Sequence, residues 1–244
     1  MTTTHAADPA TVICAAAEGV FATVAEVRRL TLDRHAAAVD TGRPFDDADV
    51  SGLAPAFVEL LEAADQLAVG LGIILEPGTL PGHPLRLEWW QRPPGRDAPV
   101  PLEVDLHPDS IGFYDYTAAD WFAVPRRTRA RHVVGPYVDV HGTDRYLLTL
   151  TMPIEVAGRF LGVAGADVPI TGFETMVLRG LGGSDAILAN DEGRVVVSTS
   201  SRWITGCLLP QQRRRAGVRL SRLPWELIEP PLPEPARAAT SGEG

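Results

Sequence analysis

The stretch YLLTLTMPIEVAGRFLGVAGADVPI, residues 146–170, decides the predicted fold, because it holds two long apolar segments separated by a tight turn. Both segments are rich in β-branched and other apolar residues, which favours strands. The pair Ala157-Gly158 between them suits a two-residue hairpin turn. The sequence therefore predicts an antiparallel β-hairpin in this central part of the chain.

Helical segments are predicted before the hairpin. Residues 8–39 form an Ala-rich helical run with Asp8 as its N-cap and a proline in the first turn, and a second helix is expected within residues 53–68. Short apolar runs between residues 70 and 110 alternate with Pro and Gly, which predicts strands. This order indicates an α+β fold, with a long N-terminal helix packed on an antiparallel sheet of about five or six strands. The apolar stripe of the first helix is Val12, Ala16, Val20, Val24, Val27 and Leu30.

Composition excludes several classes of function. The formal net charge of −9 argues against nucleic-acid binding, and all 22 basic residues are arginine, which excludes Schiff-base and P-loop lysines. Cys14 and Cys207 lack the paired spacing of a zinc site, and no catalytic motif is present. The sequence predicts a protein that is not an enzyme and has no cofactor. Because Glu18 interrupts the first apolar run and no basic segment precedes it, we also expect no membrane span and a cytoplasmic location.

Aromatic and acidic residues gather in and after the stretch YDYTAADWFAVPRRTRARHVVGPYVD, residues 114–139, and Asp167 ends an otherwise apolar strand. A carboxylate at the end of such a strand is costly unless it has a partner. Carboxylates beside aromatic rings suit a cation, since an ammonium gains both charge-assisted hydrogen bonds and cation–π contacts. These residues therefore suit a bound cation, while aromatic residues in such strands are also typical of an apolar core and an aspartate near a turn is typical of a cap.

The spacing of these residues resembles the ligand motif of the double-Cache sensor modules, which recognise amino acids and amines. Residues 135–170 also resemble the family's GPY strand start, hairpin and GVxGxD strand. The resemblance implies a PAS-like Cache fold, in which Tyr137, Asp139 and Asp167 hold the ammonium of the ligand. The other ligand-binding residues that we predict are Tyr114, Tyr116, Trp121 and Phe122, with Asp120, Trp90 and Arg126 as secondary candidates.

One position departs from that motif. In the family, an arginine two residues before the tryptophan holds the carboxylate of the ligand, whereas Ala119 stands there in this chain. Burying a carboxylate without a partner is costly, so an amine without a carboxylate is the expected ligand. Two alternatives stay open. The chain could be an amino-acid sensor that uses another arginine (Arg86, Arg126 or Arg127), or it could be an interaction or dimerisation module without a ligand.

The resemblance also predicts how the chain is organised. We expect a disordered leader (1–8), an N-terminal helical segment (9–65), a Cache ligand-binding domain (66–170), a helix and hairpin resembling a truncated second Cache module (171–206), and an Arg- and Pro-rich tail (207–244). The expected partners are a small amine or amino acid, a second copy of the chain, and a cytoplasmic protein that receives the signal. No nucleic-acid or membrane partner is expected.

Overall fold

The computed structural model describes residues 8–63, 67–96, 98–140, 145–214 and 217–228. The helices are α1 Pro9–Asp40, α2 Asp47–Ser51, α3 Ala54–Glu62, α4 Asp120–Thr128, α5 Ile170–Leu181 and α6 Gln211–Arg214, with a 3-10 helix at Tyr116–Ala118. The strands are β1 Gly70–Leu75, β2 Leu87–Gln91, β3 Val100–Pro101, β4 His132–Val138, β5 Tyr146–Val156, β6 Arg159–Pro169, β7 Ile187–Asn190, β8 Val195–Ser198, β9 Val218–Arg219 and β10 Trp225–Ile228.

Helix α1 begins as the sequence predicts. The Asp8 side chain accepts a hydrogen bond from the backbone N–H of Thr11 at 3.0 Å, and Pro9 is the first helical residue. One face of the helix is buried in the main apolar core, whose largest α1 side chain is Phe21. By length and composition α1 could also cross a membrane, since its most apolar 18-residue window has a mean hydropathy of 1.6. A core helix passes the same test, and the cytoplasmic location stays a prediction.

The main sheet has six strands in the order β3-β2-β1-β6-β5-β4, and every neighbouring pair is antiparallel. The α+β architecture and the predicted sheet are therefore confirmed. Strands β5 and β6 form the central hairpin, and its turn residues Ala157 and Gly158 both have positive φ, at 50° and 79°. That backbone matches the type I′ turn, whose twist suits two-residue hairpins.

The two faces of the sheet are packed by different parts of the chain. Side chains of one parity, such as Leu150 on β5 and Ala166 on β6, join α1 in the main core. Side chains of the other parity, such as Val163, join a second cluster that includes Tyr116 and Phe122. This alternation follows from the pleat of a strand. The helical insert, which consists of the 3-10 helix and α4 (residues 116–128), covers this second face.

The segment before that insert differs from the sequence prediction. Residues 101–110 were expected to form a strand, but the strand there ends at Pro101, and the chain continues irregularly to Tyr116. The Tyr116 hydroxyl donates to the Leu75 carbonyl at 2.8 Å, which ties the insert to β1. Proline in the segment removes backbone donors that a strand would need.

The C-terminal part forms a second sheet, with strand order β8-β7-β10-β9. The hairpin β7–β8 was predicted, but β9 and β10 fall within residues 207–228, where a tail was expected. Trp225 explains the difference, because its side chain is fully buried and packs on Phe173 of α5 with ring centroids 5.4 Å apart. The Asn190 side chain of β7 donates to the Gly135 carbonyl at 3.0 Å, which connects the two sheets. The rest of the predicted tail, residues 229–244, lies outside the described residues, as does the predicted leader except for Asp8.

Two glycine-to-alanine substitutions test this packing. At Gly72 on β1, an added Cβ would lie 2.1 Å from the Glu88 carbonyl oxygen, so we expect Gly72→Ala to lower the free energy of unfolding by at least about 2 kcal/mol. At Gly19, on the exposed side of α1, an added Cβ meets nothing within 4 Å. Gly19→Ala should raise the free energy of unfolding by about 0.5–1 kcal/mol, because alanine has a higher helix propensity than glycine. Urea unfolding measures both, and equal effects would contradict the described strand pairing.

Candidate functional site

The register of the sheet places Asp167 of β6 between two strands. Thr149 on β5 pairs with it on one side, and Gly70 on β1 pairs with it on the other. The Thr149 hydroxyl donates to Asp167 Oδ1 at 2.6 Å. Asp167 is only 7% exposed, so its carboxylate lies inside the protein. A buried charge in this position calls for a partner, which makes Asp167 the centre of the candidate site.

Four other predicted residues line the same cavity as Asp167: Tyr114, Trp121, Tyr137 and Asp139. The Tyr137 and Thr149 hydroxyls lie 2.8 Å apart in a hydrogen bond, so a chain of hydrogen bonds runs from Tyr137 to Asp167. The structure thus brings five of the predicted residues together. The free volume of the cavity is about 20 Å³, which is room for about one water molecule.

The cavity carries a strongly perturbed carboxyl group. The pKa of Asp167 is raised to about 7: burial raises it most, the hydrogen bond from Thr149 opposes the rise, the charge of Asp139 adds to it, and the charge of Arg145 opposes it. Burial also raises the pKa of the hydroxyls of Tyr114 and Tyr137, and both carboxylates add to this effect. The tyrosines therefore stay neutral, and the net charge of the site is negative. Protonation of Asp167 makes this net charge less negative.

The arginines considered from sequence lie elsewhere. Arg126 is paired with Glu76, and Arg86 is bonded to Asp47 and Glu88. None of the residues that line the cavity, in the part of the chain described here, is Arg or His. The expected site for an arginine, Ala119, is the N-cap of α4 and packs in the second apolar cluster. The cavity consequently offers acceptors and rings, and no guanidinium among its described lining.

Besides Arg126, four predicted residues do not line this cavity. Tyr116 is fully buried and bonded to β1, and Phe122 packs edge-on against Tyr116 and Trp121, so both lie behind the cavity as its support. Asp120 is exposed at the start of α4. Trp90 points to the other face of β2, where its indole N–H donates to Glu88 at 2.7 Å.

Sequence reasoning missed half of the lining. Thr149 gave a signal, because a hydroxyl residue recurs on a strand that is otherwise apolar. Trp89 belongs to the pair Trp89-Trp90, whose side chains point to opposite faces of the sheet. Only the strand register shows which of the two faces the cavity. The other lining residues that were missed are Ile74, Leu87 and Leu102.

The described residues contain no group of three or more His, Cys, Asp or Glu side chains that could hold a metal ion. Cys14 and Cys207 are both free thiols and half-buried. The side chains that line the cavity supply hydroxyl and carboxyl groups and aromatic rings.

Comparison with known proteins points to one family. A family model for the first PDC sensor domain of methyl-accepting chemotaxis protein-like sequences matches residues 64–175. The methyl-accepting chemotaxis protein TlpQ of Pseudomonas aeruginosa is 25% identical over 136 residues, which cover 48% of this chain and 19% of TlpQ. The match is thus confined to a small part of that relative.

Solved structures share the fold. The structure of methyl-accepting chemotaxis protein X has a TM-score of 0.61 at 14% identity, and the alignment covers 90% of this chain and 94% of that one. The ligand-binding domain of the Campylobacter jejuni chemoreceptor Tlp3 has a TM-score of 0.59 at 14% identity, covering 90% of this chain and 88% of that one. Together with the family match over residues 64–175 and the antiparallel sheet, these findings show that the chain is similar to the Cache (PDC) sensor domains of chemoreceptors and shares their fold.

Proposed function

We propose that this sensor domain binds a small organic amine in the cavity and holds its ammonium group against Asp167, Asp139 and Tyr137. The observation that carries the proposal is the buried carboxylate of Asp167, which faces a cavity without a described cation in its lining. An ammonium supplies the missing positive charge. Each charge-assisted hydrogen bond it makes contributes about 1.5–3 kcal/mol, and the aromatic walls add cation–π contacts.

Ligand entry requires part of the wall to move, because the free volume is smaller than any organic amine. Leu102 and Tyr114 belong to the irregular segment between β3 and the 3-10 helix, and Asp139 follows the end of β4, whereas the rest of the lining lies on strands or on α4. An irregular segment opens with the loss of fewer backbone hydrogen bonds than a strand does. We infer that this segment admits the ligand.

A second candidate is an amino acid. Solved structures of Tlp3 hold isoleucine or L-valine, which favours this class for a protein of the same fold. Among the described residues, Arg145 is a cation whose charge lowers the pKa of Asp167. The guanidinium of Arg145 donates a hydrogen bond to the Arg92 carbonyl. A carboxylate ligand would have to draw Arg145 from this contact. The amine proposal needs no such rearrangement.

Thermal denaturation with a panel of short primary amines and amino acids tests the proposal. An amine at 100 times its dissociation constant should raise the melting temperature by about 5–10 °C. Asp167→Asn should abolish the shift because it removes the buried charge, while the matched variant Asp120→Asn should keep it, since Asp120 is exposed and outside the cavity lining.

The outcomes of that panel separate the candidates. Stabilisation by amino acids with no effect of amines would replace the amine proposal with the amino-acid one. A panel in which no compound shifts the melting temperature would favour an interaction module.

The buried carboxylate also predicts how stability depends on pH. The pKa of Asp167 is about 7 in the folded protein and 3.8 for an ordinary aspartate, so its stabilising effect is complete below about pH 4 and is lost as the pH rises through 7. The free energy of unfolding of Asp167→Asn, relative to the unaltered protein, should therefore increase by up to about 4 kcal/mol from pH 4 to pH 8. Denaturant unfolding across this range measures it, and Asp120→Asn should show no such trend. A flat difference for Asp167→Asn would mean that Asp167 titrates normally.

A further inference from the structure

We propose that Trp89 is a specificity-determining residue, whose indole N–H selects ligands that carry a neutral hydrogen-bond acceptor close to the ammonium group. The inference rests on the proposed amine site and names the class of amine it takes: amino alcohols and other amines with an uncharged oxygen acceptor near the nitrogen. It depends on where Trp89 Nε1 lies and on what surrounds it.

Trp89 is a wall of the cavity and is only 5% exposed. Its Nε1 atom is shielded from solvent and has no hydrogen-bond partner among the described residues. A buried donor without an acceptor is uncommon in folded proteins and calls for a physical reason, of which an absent ligand is one. Trp225 also has an unpaired indole N–H, but it packs on Phe173 and is not among the residues lining this cavity.

Two glycines show where the indole lies. An added Cβ at Gly70 would lie 2.9 Å from Trp89 Nε1 and 3.3 Å from Asp167 Oδ2, so both atoms lie next to the same point above Gly70. An added Cβ at Gly165 would lie 3.2 Å from Trp89 Cη2, at the far end of the indole. The ring therefore lies over β1 and β6, where glycine leaves room for it. The donor and the carboxylate face one small volume.

The chemistry of the two groups defines the ligand. The indole N–H only donates, and an ammonium only donates as well, so the group that pairs with Asp167 cannot pair with Trp89. A plain alkylamine would leave the N–H unpaired in the filled cavity. A hydroxyl or ether oxygen near the ammonium would accept from it. A carboxylate oxygen would accept too, but it would stand beside Asp167 and Asp139, and like charges at short range repel.

Ethanolamine and propylamine form the test pair, because they have the same number of heavy atoms and differ only in a hydroxyl against a methyl group. Calorimetric titration at pH 8 should give a dissociation constant about tenfold lower for ethanolamine, the ratio expected for one satisfied buried donor. In Trp89→Phe, which keeps an aromatic ring and removes the N–H, the two constants should become nearly equal. In the matched control Trp90→Phe, on the opposite face of the strand, the tenfold preference should remain.

Equal binding of both amines to the unaltered protein would overturn the inference and leave the amine site standing, and this comparison needs no variant. A Trp89→Phe protein that weakens both amines by the same factor would also overturn it, because Trp89 would then act by positioning Asp167. Failure of both amines to bind the unaltered protein would instead remove the proposed function, and the inference with it.

Discussion

The buried carboxylate of Asp167 is the constraint around which the candidate site is built. The hairpin register sets Thr149 beside it, and the pairing with β1 sets Gly70 on its other side. A hydroxyl donor satisfies one carboxylate oxygen, while the position above Gly70 lies next to the other and next to Trp89 Nε1. Burial keeps the pKa of the group near neutrality, so its charge can respond to what enters the cavity. A cation is the partner that such a group favours.

The fold isolates this group from the main core. Helix α1 and the side chains of one parity form the apolar core on one face of the sheet, and the insert with α4 covers the other. Tyr116 anchors the insert by its hydrogen bond to the Leu75 carbonyl, and Phe122 fills the space behind the cavity. The site can thus carry a costly charge without weakening the packing that holds α1 to the sheet. The second sheet contacts the same region, because the Asn190 side chain donates a hydrogen bond to the carbonyl of Gly135, two residues before Tyr137.

Much of this arrangement could be predicted from the sequence, because the resemblance to the Cache ligand motif identified Tyr137, Asp139 and Asp167. In the sheet, Tyr137 on β4 and Asp167 on β6 lie on either side of β5, which contributes Thr149 between them. The sequence could not show which side chains of β2 face the cavity. Trp90 was therefore predicted to line the cavity, whereas Trp89 does so. The sequence also does not show which side chains of the helical insert face the cavity. Tyr116 and Phe122 were therefore expected in the lining. The strands β9 and β10 were missed because proline and arginine flank them, and only the burial of Trp225 in tertiary contact reveals them.

In the proposed function, an amine binds by pairing its ammonium with ionised Asp167. In the free protein, Asp167 carries a proton below neutral pH. The most direct measurement is the number of protons released on binding, obtained at pH 6 by calorimetric titration of one amine in two buffers of different ionisation enthalpy. We expect the release of about one proton per amine bound, because the pKa of Asp167, about 7 in the free protein, falls when the ammonium binds. Binding with no proton release would contradict it.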